Sequence, residues 1–278
     1  MSVSGIEYVG SRDPDAAGRP SIRAAAGRVS LGSQVVTHGL DVHHDCVDMT
    51  FVEYMFLSVT GRRCDPTEAR VLEQLWITTG YADARIWCNR IAGYLGSARA
   101  DAAMAMSAAL AASNSMAYGF GAIRSAYIVQ SEIPDGADDR AAWLDGELAK
   151  GRTLHGYGRP VHGHDERIGA CLAILAAAGL RAGPAVKRAF RLDQALRERK
   201  GIEMNIAGLW CALLIDFGVG RLDCEAFMLL MFSPGYAAVY ADQRRRAPFT
   251  FLRGHRTRLP VPTQESRDES LTSSGSRR

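Results

Sequence analysis

Apolar residues in this chain recur at helical spacing along most of its length. Segments 51–60, 84–95, 102–112 and 116–129 each carry such a pattern. Another opens at Pro66 and continues through Val71, Leu72, Leu75 and Trp76. Segments 168–178 and 186–197 form a further pair, broken at Gly179 and Gly183-Pro184. Segment 202–217 is strongly apolar and stops at Gly218, and 223–231 and 236–246 are split by Ser233-Pro234-Gly235. Residues 135–139 read as a polar turn, and alternation of the strand type is confined to 28–36. The expected fold class is therefore all-α. Residues 1–28 read as a loose N-terminal arm, and the Ser-, Arg- and Glu-rich residues 259–278 as a disordered tail.

Between two helical layers lies His155-Gly-Tyr-Gly-Arg-Pro-Val-His162-Gly-His164-Asp-Glu-Arg167. Glycine lets backbone approach a ligand closely, and arginine suits planar carboxylates and phosphates. The stretch has the chemistry of a ligand loop at a helix N-terminus. Histidine is the side chain suited to proton transfer near neutral pH, so His162 and His164 are candidate acid–base groups; the alternative is a polar loop bonded to its own backbone. Arg159 and Arg167 are candidate anion ligands; the alternative is ion pairing with Asp165 or Glu166. Asn205 either faces the site or caps the following helix. Asp216, on an apolar helix, needs a partner.

A net charge of +3 with no broad basic face gives no case for nucleic acid. The six cysteines lack CxxC spacing and read as small buried hydrophobes of a reducing, cytoplasmic compartment, since no signal-like start is seen. The apolar run 101–112 is too short to span a membrane. His43-His44-Asp45 matches no ligand spacing, so no metal is expected.

In order and spacing the chain resembles the citrate synthase superfamily, and within it the short citryl-CoA lyase type. The match runs from Gly27-Arg-Val-Ser-Leu to Gly61-Arg62, an opening hairpin and first helix. Ser115-Met-Ala-Tyr118-Gly-Phe-Gly121 stands where the family has Gly-Pro-Leu-His-Gly-Gly. Gly156-Tyr-Gly158-Arg159-Pro-Val to Asp165-Glu-Arg167 stands for Gly-x-Gly-His-x-Val and Asp-Pro-Arg, and Asn205-Ile-Ala207 for Asn-Val-Asp. Gly235-Tyr-Ala-Ala-Val-Tyr-Ala-Asp-Gln-Arg continues it. The resemblance implies a large domain over 29–150 and 233–258, a small domain over 151–232 and a cleft between them. It also implies a homodimer that shares its sites, and a CoA thioester as substrate with no bound cofactor.

It further implies roles that this sequence alters. The histidine that stabilises the enol falls on Tyr118, the one that polarises the keto-acid carbonyl on Arg159, and the aspartate base on Ala207. A carboxylate-binding arginine falls near Phe232, a neighbouring histidine falls on Val239, and only Arg167 is kept. Alanine takes no proton, and loss of a general base removes ~10²–10⁴ in rate. Tyrosine and arginine can still stabilise an oxyanion. The expected catalytic set is Tyr118, Arg159, His162 and His164, with Arg167, His155 and Asn205 binding substrate and Gly156, Gly158 and Arg253 binding CoA. Ordinary citrate synthesis is not expected. The alternative is a degenerate member that binds a ligand or partner without turnover. Substitution of either loop arginine is expected to spare the fold.

Overall fold

The computed structural model describes residues 26–30, 34–116, 119–159 and 164–251. In chain order the elements are β1 (Gly27–Ser30), β2 (Gln34–Thr37), β3 (Leu40–Asp41), α1 (Phe51–Thr60), α2 (Pro66–Thr79), α3 (Trp87–Ser97), α4 (Ala102–Ala112), α5 (Phe120–Glu132), α6 (Ala137–Ala149), α7 (Glu166–Ala177), α8 (Pro184–Lys200), α9 (Ile206–Asp216), α10 (Arg221–Met228) and α11 (Ser233–Arg245). The all-α reading holds, with one small antiparallel sheet in the order β1-β2-β3. Gly27 faces Thr37, and Val36 faces Asp41.

Local chemistry explains the helix starts. Thr50 accepts from the Glu53 amide at 3.2 Å while the Glu53 carboxylate takes the Thr50 amide at 2.6 Å, a reciprocal cap for α1. Asp65 caps α2 ahead of Pro66. Asp216 accepts the Ala185 and Val186 amides at 2.8 and 3.0 Å, so it has the partners its position demands. Two sequence readings are corrected. The polar turn at 135–139 is shorter, because Asp138 and Asp139 already lie in the first turn of α6, where carboxylates favour the positive helix end. Ser233-Pro234-Gly235 is the first turn of α11 rather than a break, since proline costs no hydrogen bond there.

The chain divides into two compact units, Met1–Tyr81 with Ser113–Ser233, and Ala82–Ala112 with Pro234–Arg278. In the first, Phe56 and Trp76 pack on Phe227 with ring centroids 5.7 and 5.0 Å apart. α9 is apolar on every side and buries eight of its residues, Leu209, Trp210 and Leu213 among them. It packs on α5 and α8. The segment expected as a small domain, 151–232, falls within this unit.

In the second unit, α3 packs on α4. Gly96 admits the Tyr240 carbonyl so closely that a methyl group would collide with it, and the Tyr240 hydroxyl donates to Ala100 O at 2.9 Å. α4 is as apolar as a core helix but buries only Ala105 and Ala109, leaving Met104 63% exposed.

Arg221–Arg245 has the length and mean hydropathy of a membrane span. It is nevertheless two helices separated by the turn at 229–232, and Glu225 within it pairs with Arg221 and Arg124 at 3.0 and 3.3 Å.

Candidate functional site

Gly156 and Gly158 adopt φ of +94° and +81°, which side-chain-bearing residues rarely take. Gly156 also lies against α9: a methyl group there would come 2.9 Å from Gly208 Cα, and one on Gly208 would meet the Gly156 carbonyl. That carbonyl accepts the Asn205 amide at 2.9 Å. Tyr157, between the glycines, turns inward. It is 7% exposed, accepts from Gln130 Nε2 at 3.2 Å and donates to Ala189 O at 3.1 Å, and burial pushes its phenol far above the usual value. Sequence inspection did not single out Tyr157, because an aromatic between glycines carries no periodic signal.

Asn205 makes the cap that was one of its two readings, and it also holds the glycine loop. Its Oδ1 caps α9 through the Ala207 and Gly208 amides at 3.0 and 3.3 Å, and its Nδ2 donates to Gly158 O at 2.7 Å. Ala207 is thus placed in the first turn of α9, half-buried. Gly158 N donates to Glu203 O at 2.7 Å, which closes a short ladder between the loop and residues 203–205.

Asp165 is the charge at the centre. It is 1% exposed and accepts Arg167 Nε and Nη2 at 2.8 Å each, the Arg167 amide at 3.2 Å and the Ile206 amide at 2.9 Å. Arg159 Nε stands 4.0 Å away. Burial alone raises this carboxyl, but Arg167, the Ile206 amide and Arg159 outweigh it and hold it below the ordinary value. Arg159 Nη1 donates to His164 O and to Glu166 Oε2, both at 2.9 Å. Both arginines therefore make the carboxylate pairings weighed as the alternative, while standing beside the glycine loop.

His164 Nδ1 lies 3.0 Å from Glu203 Oε2, a partner that sequence did not nominate. His155 is half-buried, and burial followed by the positive Arg152 lowers the pKa of its imidazole. Arg152 itself is held by Glu132 and Glu147 at 2.9 and 2.8 Å. Tyr118, His162 and Arg253 lie outside the described residues. Next to Tyr118, Gly119 takes φ +98° and a side chain there would strike Ser113 O, so the turn before α5 depends on that glycine. Phe120, the first residue of α5, packs its ring on Phe232 at 5.4 Å. The place near which the resemblance puts a carboxylate-binding arginine is thus apolar. Among the described residues no group of three metal-ligating side chains occurs, and all six cysteines are free.

The fold has solved counterparts. The citryl-CoA lyase of Hydrogenobacter thermophilus superimposes with a TM-score of 0.71 at 18% identity, covering 82% of this chain and 89% of that one. The ATP citrate lyase of Methanothrix soehngenii, solved with citrate and coenzyme A, gives 0.74 at 16% identity over 91% of this chain and 44% of that one. The citrate synthase of Thermotoga maritima gives 0.58 at 21% identity over 70% and 54%. A search of curated proteins finds no match. A family model, the citrate synthase C-terminal domain, matches residues 12–243. That match spans most of the chain, and the chain belongs to the citrate synthase family.

Proposed function

We propose that this chain is an enzyme of the citrate synthase and citryl-CoA lyase class, acting on a CoA thioester or related carboxylate through an altered acid–base set. The observation that carries this reading is a closed glycine loop beside two arginines, with an alanine where the resemblance sets the base. The glycine loop is locked to Asn205 and flanked by Arg159 and Arg167, while Ala207 stands in the first turn of α9. Related structures were solved with citrate and coenzyme A, and with (3S)-citryl-CoA.

In this reading Gly156, Gly158 and Arg253 carry CoA, and Arg167, His155 and Asn205 hold the acyl or carboxylate partner. Tyr118 and Arg159 stabilise the developing oxyanion, and His162 and His164 supply proton transfer. The apolar contact of Phe120 with Phe232 argues for a partner with less negative charge than oxaloacetate. No cofactor is needed beyond the thioester.

A second reading, a member that binds without turnover, is favoured by one observation. Arg159 and Arg167 already have carboxylate partners in Glu166 and Asp165, so an anion must share them. Thiol release separates the two. Acetyl-CoA with oxaloacetate should yield CoA no faster than background, and a panel of other CoA esters should contain one that is turned over. A thioester that raises the melting point by mass action but is never cleaved would leave the binding reading standing. Ready turnover of acetyl-CoA with oxaloacetate would show that another group fully replaces the base.

We also propose a homodimer in which a second copy covers α4, because a largely apolar helix left open to water is otherwise unexplained. α5, by contrast, buries seven residues inside its own unit. Ala109 is fully buried within the monomer, so the exposed Met104 is the better probe. Met104→Asp should release monomers while sparing the monomer's fold, as read by sedimentation. A wild-type monomer at every concentration would remove the proposal.

A further inference from the structure

The geometry points to Glu203 as the positioning residue of an acid–base pair, orienting His164 so that its Nε2 takes the thioester α-proton in place of the absent aspartate. The inference rests on the enzyme reading above and adds to it a residue and a contact.

A carboxylate only accepts hydrogen bonds. The 3.0 Å contact between Glu203 Oε2 and His164 Nδ1 therefore places the imidazole proton on Nδ1. In the neutral ring this leaves Nε2 with its lone pair free, the form that a base requires. Glu203 is itself held. Its other oxygen lies 3.6 Å from Arg197 Nε, and Arg197 reaches Asp193 at 2.7 Å. Its backbone carbonyl takes the Gly158 amide at 2.7 Å, so the carboxylate is fixed to the glycine loop by the same residue.

At the other end, the His164 carbonyl accepts from Arg159 Nη1 at 2.9 Å, which ties the base to the arginine assigned to the oxyanion. The His164 side chain keeps 62% of its surface, so the ring is open to a ligand. Ala207 is four residues beyond Glu203, on the strand of chain that Asn205 fastens to the loop. In the step, one C–H bond of the thioester methyl breaks and its electron pair passes into the enolate oxygen. The proton forms a new bond to Nε2, giving imidazolium. Return of a solvent proton reverses it, and no other reactant is required.

The experiment uses the full chain with acetyl-CoA in D2O, following deuterium entry into the acetyl methyl by NMR, alongside the ¹⁵N shifts of the His164 ring. His164→Gln should slow exchange by about 100-fold or more, the scale of a lost general base. Glu203→Ala should slow it by about tenfold or more, and move the ring toward the Nε2–H tautomer. Glu203→Gln, whose amide oxygen still accepts from Nδ1, should keep the tautomer and recover part of the rate. An unchanged tautomer in Glu203→Ala, or exchange that depends on His164 but not on Glu203, overturns the inference. Wild-type protein that exchanges the α-protons of neither acetyl-CoA nor any other CoA ester of the panel, while its tautomer still follows Glu203, overturns the enzyme reading and leaves the positioning contact in place.

Discussion

Gly156 and Ala207 lie close together, joined through Asn205, yet they compare differently with the family pattern. Gly156 is where the pattern has it, and the structure shows why: its φ of +94° and its approach to Gly208 exclude a side chain. Ala207 stands where the resemblance sets a reacting carboxylate. Nothing in the packing demands one there, because the Asn205 side chain already caps that helix. Backbone that closes on itself resists substitution, whereas a side chain used only for chemistry can be exchanged without loss of fold. The proposed site would thus separate into a frame that stability requires and a chemical face that only the proposed function requires.

The largest test of that division is Asp165→Ala. The carboxylate belongs to the frame, being fully buried with two arginines and two helix starts around it. Its loss should cost about 3–5 kcal/mol, the scale for breaking a buried ion pair, as read by denaturant unfolding. The sign with pH follows from the lowered folded value. Its contribution is complete above the ordinary carboxylate value of about 4 and is lost as pH falls through the lower folded value. Wild-type stability should decline there, and Asp165→Ala should decline less. A cost below about 1 kcal/mol would place Asp165 on the chemical face after all.

A smaller effect is expected from Arg159→Ala. Arg159 reaches Asp165 only at 4.0 Å and otherwise pairs with the exposed Glu166, so it contributes less to the fold than the close partners of Asp165. It should weaken binding of a thioester or carboxylate by about 1.5–3 kcal/mol, the range for hydrogen bonds to charged groups, with little change in unfolding. Arg167 sharpens the contrast. The expectation that either loop arginine could be removed without harm to the fold does not suit Arg167, whose removal leaves Asp165 without its bidentate partner. Equal stability of the two variants would erase the distinction between them.

How much of this was legible in the sequence follows from range. The helical class, the glycine loop and the Asn205 cap rest on periodicity and near-neighbour chemistry, which a single sequence displays. α6 was missed beyond its polar start because its apolar residues form only a weak stripe, with Leu144 and Glu147 its buried residues. Tyr157 and Glu203 were missed for another reason. Their partners, Gln130, Ala189 and His164, are 27 to 39 residues away, and no local pattern announces a contact of that span. Asp165 was legible as a partner for arginine, but its bond to the Ile206 amide was not.

That bond has a consequence for motion. One carboxylate closes the starts of α7 and α9 together, through the Arg167 and Ile206 amides. Two helix ends that share a single acceptor do not fray independently, because releasing one loosens the anchor of the other. Solvent should therefore reach both amides in one opening event, so that the front edges of two helices that begin 40 positions apart in the chain, at Glu166 and Ile206, breathe as a single hinge point.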